Sequence, residues 1–164
     1  MRKSIIFALL CLLPILISCD KSDNLTDIFL AKTWKMNYIA SGSIGKTWYS
    51  FTDVTKQNYE DYSSRTKVFT LSFSGMQSED EISGTFTGSG SLSISGKWSA
   101  SGNGNRDLKT SEVSSNISDA TDIIAQKILY GLQNAKSWKG DQYNLFIYFT
   151  YQGETLFMAF TSQE

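Results

Sequence analysis

Few residue combinations in this chain can do chemistry, and the gaps are informative. None of the 164 residues is histidine, which removes Ser-His-Asp and Cys-His catalysis and the commonest zinc ligand. A hydrolase would have to use paired carboxylates or a Ser-Lys pair, and no motif points to either. Glu60-Asp61 is the nearest approach to a carboxylate pair. Adjacent residues point opposite ways in an extended segment and lie about 100° apart on a helix, so a surface role fits them better than catalysis. Ser78-Glu79-Asp80-Glu81 gathers acid but lacks the spaced oxygen ligands of a calcium loop, and a solvated hairpin turn accounts for it. No catalytic, cofactor-binding or metal-ligating residue is assigned, no cofactor is implied, and the expected protein is not an enzyme.

Binding is the better reading. Between Lys46 and Lys67 the chain interleaves aromatic and charged residues. Trp48, Tyr49, Tyr59 and Tyr62 offer flat apolar faces with polar tips, which suit sugars, lipids or protein partners. The competing explanation is that the four rings cap the core or close one end of the fold.

Cys19 carries chemistry of another kind. Arg2 and Lys3 give a positive start, Ile5 to Ile17 is almost wholly apolar, and Ser18 is a small residue beside a cleavage point. Leu16-Ile17-Ser18-Cys19 resembles the lipobox of bacterial lipoproteins, in which the cysteine is acylated and becomes the first mature residue. A spanning anchor is disfavoured, because the apolar run of roughly 13 residues falls short of the ~20 that a helix needs to cross a bilayer. A plain signal peptide cut near Ser18 is the remaining alternative. The expected organisation is a signal peptide over 1–18, a lipidated tether over 19–27 and one domain over 28–164. The expected location is the bacterial cell envelope, with the outer membrane as the membrane and the leaflet undetermined.

Processing changes the composition. The 15 basic and 16 acidic residues become 13 and 16 once Arg2 and Lys3 are removed. No basic stripe remains, which argues against nucleic acid as a partner. Pro14 and Cys11 leave too, so the mature chain has no proline and cannot form an internal disulfide. Packing alone must hold the fold.

The elements that position these residues follow from periodicity. Trp34, Met36 and Tyr38 alternate with Lys35 and Asn37, predicting a first strand after a helical turn near Leu25–Leu30. A strand is expected near Trp48–Phe51, then a loop or short helix through Asn58–Ser64. Val68–Phe73, Glu81–Thr87 and Ser91–Ala100 read as antiparallel strands whose second face is Ser, Thr and Gly. Ile124, Ala125, Ile128, Leu132 and Ala135 recur at helical spacing and predict a helix over about 119–137. Tyr143–Tyr151 and Thr155–Thr161 close the chain as a hairpin. Its strands are apolar on both faces, so cover is expected on both sides, with the helix on one of them.

Trp34-Lys35-Met36, Ile82-Ser83-Gly84, Lys139-Gly140-Asp141-Gln142-Tyr143-Asn144-Leu145 and Gly153-Glu154-Thr155-Leu156 stand in an order that resembles the META/HslJ-like domain, over about 28–160. The usual Gly-Cys-Asn segment of that family is missing; Gly88-Ser89-Gly90 or Gly102-Asn103-Gly104 stands in its place. The late helix before two strands equally resembles a lipocalin-like small β-barrel lipoprotein. The first resemblance implies an envelope lipoprotein of poorly defined biochemistry, sometimes linked to stress or antibiotic tolerance, and carries over no catalytic residue. The second implies a carrier of a small apolar ligand, whose interior must be open rather than filled by Trp34, Phe69, Trp98 and Phe149. The expected fold is α+β: a twisted antiparallel sheet or partly closed β-barrel packed by one C-terminal helix before a final β-hairpin. The expected role is a membrane-tethered, non-enzymatic module that binds an envelope protein or a small apolar ligand. A carboxylate-dependent enzyme on envelope glycans is the least favoured alternative.

Overall fold

The computed structural model describes residues 24–42, 48–102 and 106–163. Cys19 and the signal segment lie outside them. Eight antiparallel strands form one sheet: β1 (Thr33–Ser41), β2 (Thr70–Ser78), β3 (Glu81–Ser89), β4 (Leu92–Ser101), β5 (Leu108–Ile117), β6 (Ala135–Gly140), β7 (Asn144–Tyr151) and β8 (Glu154–Gln163). Their order is β5-β4-β3-β2-β1-β8-β7-β6. Three short helices accompany them among the described residues: α1 (Leu25–Phe29), α2 (Lys56–Ser64) and α3 (Ile123–Gln133).

The sheet curls but does not close. Among the described residues its edge strands β5 and β6 meet at a single bridge, Asp107↔Ser137, beside a Trp138 N–H to Arg106 C=O bond of 2.9 Å. The expectation of one packing helix over 119–137 therefore fails, as does a bare final hairpin. Asp122 caps α3 by accepting the Ala125 N–H, so the helix starts four residues late. Asp119 instead accepts the Thr121 N–H in a tight turn. Past Gln133 the chain turns into β6, which aims Trp138 inward and makes the C-terminus a three-stranded meander. The fold is thus mostly sheet rather than α+β, and an unclosed eight-stranded sheet rather than a partly closed barrel. Among the described residues its core cover is shared by three short helices.

Period-two alternation fills the concave face. Trp34, Phe69, Trp98 and Phe149 are all buried in one continuous cluster. Phe29 of α1 reaches furthest in. Its ring lies 4.8 Å from Trp98, 5.0 Å from Trp138 and 5.2 Å from Phe73, joining β2, β4 and β6. α3 lies against β5 and β7 on this same side. The outer face of β1, β7 and β8 carries a smaller cluster, Phe157 ringed by Tyr38, Phe146 and Tyr148. The apolar second face of the hairpin is thus real, but among the described residues no helix covers it; Tyr38 of β1 and the hairpin's own aromatics pack there.

The molecule has two distinct ends. α1 sits at one, with the β2–β3 turn, the β4–β5 connection and the β6–β7 turn. Thr26 bonds Gln77, the Gly102 N–H bonds Asp80 C=O, and Lys32 Nζ reaches Gln142 C=O at 2.8 Å. Residues 48–64 sit at the other, with the β7–β8 turn and the entry to α3. Tyr49 bonds Glu154 and Arg65 pairs with Asp122. Strands of nine or ten residues separate the ends by roughly 20–30 Å once tilt is allowed for.

Candidate functional site

The aromatic-rich segment builds its own platform. Thr55 and Asn58 form a capping box that starts α2. That start brings Tyr59 and Tyr62, three apart, onto one helix face. The expected strand at Trp48–Phe51 does not form. Those residues run as an irregular strap, pinned to β1 by a Tyr49 N–H to Ile39 C=O bond of 2.6 Å. Trp48 stacks on Tyr59, with ring centres 5.0 Å apart and planes inclined 29°, and meets the edge of Tyr62 at 5.5 Å.

The four aromatic residues singled out in the sequence divide by role. Trp48 and Tyr59 line an open groove of about 530 Å³, with Val54. Tyr62 is buried beneath them, where its oxygen accepts the Phe69 N–H at 3.2 Å. Burial pushes its phenol up to about 12. Tyr49 leaves the groove: its hydroxyl donates to Glu154 at 2.9 Å and its ring packs on Phe51. That hydrogen bond to a carboxylate holds its phenol above the ordinary range. Tyr59 donates to the Tyr49 carbonyl, and burial raises its phenol as well. Its ring is thereby clamped for Trp48 to stack on.

The rest of the groove was not singled out beforehand. Lys56 and Glu60 flank it as an exposed i, i+4 pair at 3.3 Å, and Ser50 and Ser63 complete the rim. The signal was available, since Lys56, Tyr59, Glu60 and Ser63 fall at helical spacing. An aromatic wall edged by one cation, one carboxylate and two hydroxyls can stack a flat ring and bond its substituents. Asp61 bonds Gln57 at 2.6 Å, so the adjacent acids Glu60 and Asp61 turn to separate surface partners. Among the described residues no three of His, Cys, Asp and Glu are grouped to hold a metal.

Lys127 was also missed. It is buried on α3, with its ammonium 2.7 Å from Asp53 and 3.2 Å from the Tyr151 hydroxyl, above the rings of Phe51 and Tyr151. Burial alone would push its pKa down; the hydrogen bonds it donates to Asp53 and Tyr151 outweigh that and hold it above the ordinary lysine range. The same bond holds the Asp53 carboxyl low. This pair ties the strap that carries Trp48 to α3.

Fold and groove together define a small, curled antiparallel β-domain with an aromatic groove at the end away from its N-terminal helix. The chain belongs to the DUF4847 family, a domain of unknown function, whose profile matches residues 20–162. It is similar to the crystal structure of a DUF4847 family protein from Bacteroides vulgatus, at 19% identity and a TM-score of 0.57, over 86% of this chain and 100% of that one. At that identity the likeness shows the fold alone. No curated protein matches the chain. The profile and the structural likeness both give DUF4847 and lend no support to the META/HslJ-like or the lipocalin-like resemblance. A shared order of strands and helix produced that resemblance, and the absent Gly-Cys-Asn segment was the feature against it.

Proposed function

We propose that this protein is a lipid-anchored module of the bacterial cell envelope that binds its ligand, without catalysis, in the Trp48–Tyr59 groove. The stacked pair on the wall of an open groove carries this reading. A ring already stacked on its neighbour presents a pre-set flat face, so a ligand ring lands on it at little ordering cost. Lys56 and Glu60 favour a ligand with hydroxyl or mixed polar substituents, as on a sugar ring. The lipobox-like Leu16–Cys19 run supports the anchor. An anchor at the α1 end would turn the groove away from the bilayer, toward soluble or polymeric envelope components. The filled interior gives no support to a carrier that swallows its ligand, so a surface groove is the reading kept.

Native mass spectrometry of the protein extracted from its own host's envelope tests this. A bound small molecule or glycan fragment that is lost in the Trp48→Ala variant is the expected result. A bare monomer in both proteins, with no ligand taken up from envelope extracts, removes the groove as a binding site.

A further inference from the structure

Among the described residues three large hydrophobic side chains stand well out from the surface: Met76 at 82% exposure, Tyr143 at 60% and Tyr130 at 37%. The two most exposed both lie at the α1 end. Met76 is near the tip of the β2–β3 hairpin, opposite Ser83. Tyr143 is in the β6–β7 turn, where its carbonyl accepts the Ser162 N–H beside the end of β8. We propose that this end is a membrane seat, with Met76 and Tyr143 dipping into the headgroup zone of a zwitterionic lipid surface. The proposal rests on the reading of Cys19 as acylated.

Chain length argues for the occupant. Asp20 to Asn24 are the only residues between Cys19 and the start of α1. The six Cα-to-Cα steps from Cys19 to Leu25 span at most about 22 Å when fully extended. The tether cannot gain length from α1, because Leu25, Ile28 and Phe29 are buried in the core. An acylated Cys19 sits at the bilayer surface, so the α1 end is held within that distance of it. A methionine side chain and an amphipathic tyrosine ring suit the apolar–polar boundary found there. Charge decides the lipid. The β2–β3 turn beside Met76 carries Glu79, Asp80 and Glu81, and Asp27 and Asp141 lie at the same end. Asp107 adds to this, while Lys32, Arg106, Lys109 and Lys139 at or beside the same end offset part of it, leaving a small excess of acid. An anionic surface would repel such an end, whereas a zwitterionic one would not.

The test uses the full acylated chain in vesicles of phosphatidylethanolamine and phosphatidylcholine. Met76→Cys, Tyr143→Cys and, at the groove end, Lys67→Cys each carry a spin label. All three native side chains are exposed, so the variants should fold. The ratio of collision with oxygen to collision with aqueous nickel should rise severalfold at 76 and 143 when vesicles are added, and stay unchanged at 67. Exchange of the lipid for phosphatidylglycerol should reduce the rise. Equal water exposure at all three positions on a chain shown by mass to be acylated overturns the seat alone. A deeper signal in phosphatidylglycerol overturns its zwitterionic character. An unmodified Cys19 overturns the anchor, and the seat with it.

Discussion

Lys127 and Asp53 form the contact through which α3 holds the strap beneath Trp48, and their titration sets its pH window. The Asp53 carboxyl lies below its ordinary 3.8, so its contribution is present above that value and is lost as pH falls through the lowered pKa. Lys127 lies above its ordinary 10.5, so its contribution is complete below that value and is lost as pH rises through the raised pKa. The pair should therefore help stability evenly across neutral pH and fade on both flanks. Lys127→Met keeps most of the stem packing and removes the charge. Asp53 is half exposed and can rehydrate, so the expected loss is only about 1 kcal/mol at pH 7. Urea unfolding of both proteins at pH 3, 7 and 11 checks it; a gap that does not narrow at the extremes would mean the loss is packing rather than charge. Tyr62→Phe poses a sharper question one layer down. It strands the buried Phe69 N–H, which should cost about 1–2 kcal/mol, read as a lower urea midpoint with an unchanged slope.

Among the elements, the β2–β3 ladder has the tightest approach. Gly75 and Gly84 are cross-strand partners. A Cβ on Gly84 would lie 2.0 Å from the Ser74 carbonyl oxygen, and one on Gly75 would lie 2.2 Å from that of Ser83. The Trp98 indole N–H bonds both Ser74 and Thr85 carbonyls, at 3.2 and 3.0 Å, so the ring closes over this pair. Backbone cannot yield as a side-chain tip does. Gly84→Ala should cost about 3 kcal/mol, seen as a fall in thermal midpoint; a loss within a few tenths would show that the ladder bends freely. A glycine inside a strand, as Gly84 is, marks either a bulge or a close approach. β1, β3 and β4 were legible because buried residues alternate along each. β2 was legible only as far as Phe73, since residues 74–78 bury nothing and read as a turn. β5 was not, since Leu108 is its one buried residue and neither face carries a pattern. β6 was mistaken for helix because Ala135 continues the α3 spacing and Lys136 and Lys139 imitate a basic helix end. The groove was half legible: clustered aromatics marked Trp48 and Tyr59, but only the fold shows that Tyr49 turns away to Glu154. Lys127 hid at the edge of the apolar face of α3, where a lysine usually reaches solvent.

At the scale of the whole molecule, the proposed anchor and the proposed groove occupy opposite ends of one packed core, and α1 joins the anchor to that core. Phe29 touches rings from β2, β4 and β6, three strands that are not neighbours in the sheet. It therefore holds the curl together where edge pairing among the described residues is reduced to one bridge. Attachment and folding should separate cleanly as a result. Cys19→Ser should move the protein from the membrane fraction to the soluble one with its unfolding midpoint unchanged, because the residue precedes the packed chain. Phe29→Ala should leave the protein on the membrane yet cost about 3–5 kcal/mol, the usual range for emptying a buried aromatic site. Fractionation and thermal unfolding of the two variants, side by side, read both effects. If Cys19→Ser stayed membrane-bound, the anchor would have to lie elsewhere in the chain. If Phe29→Ala unfolded near the native midpoint, the sheet would hold its curl without α1, and the anchor would be free to draw α1 out as additional tether. The groove could then approach the bilayer, and the division between a membrane end and a ligand end would dissolve.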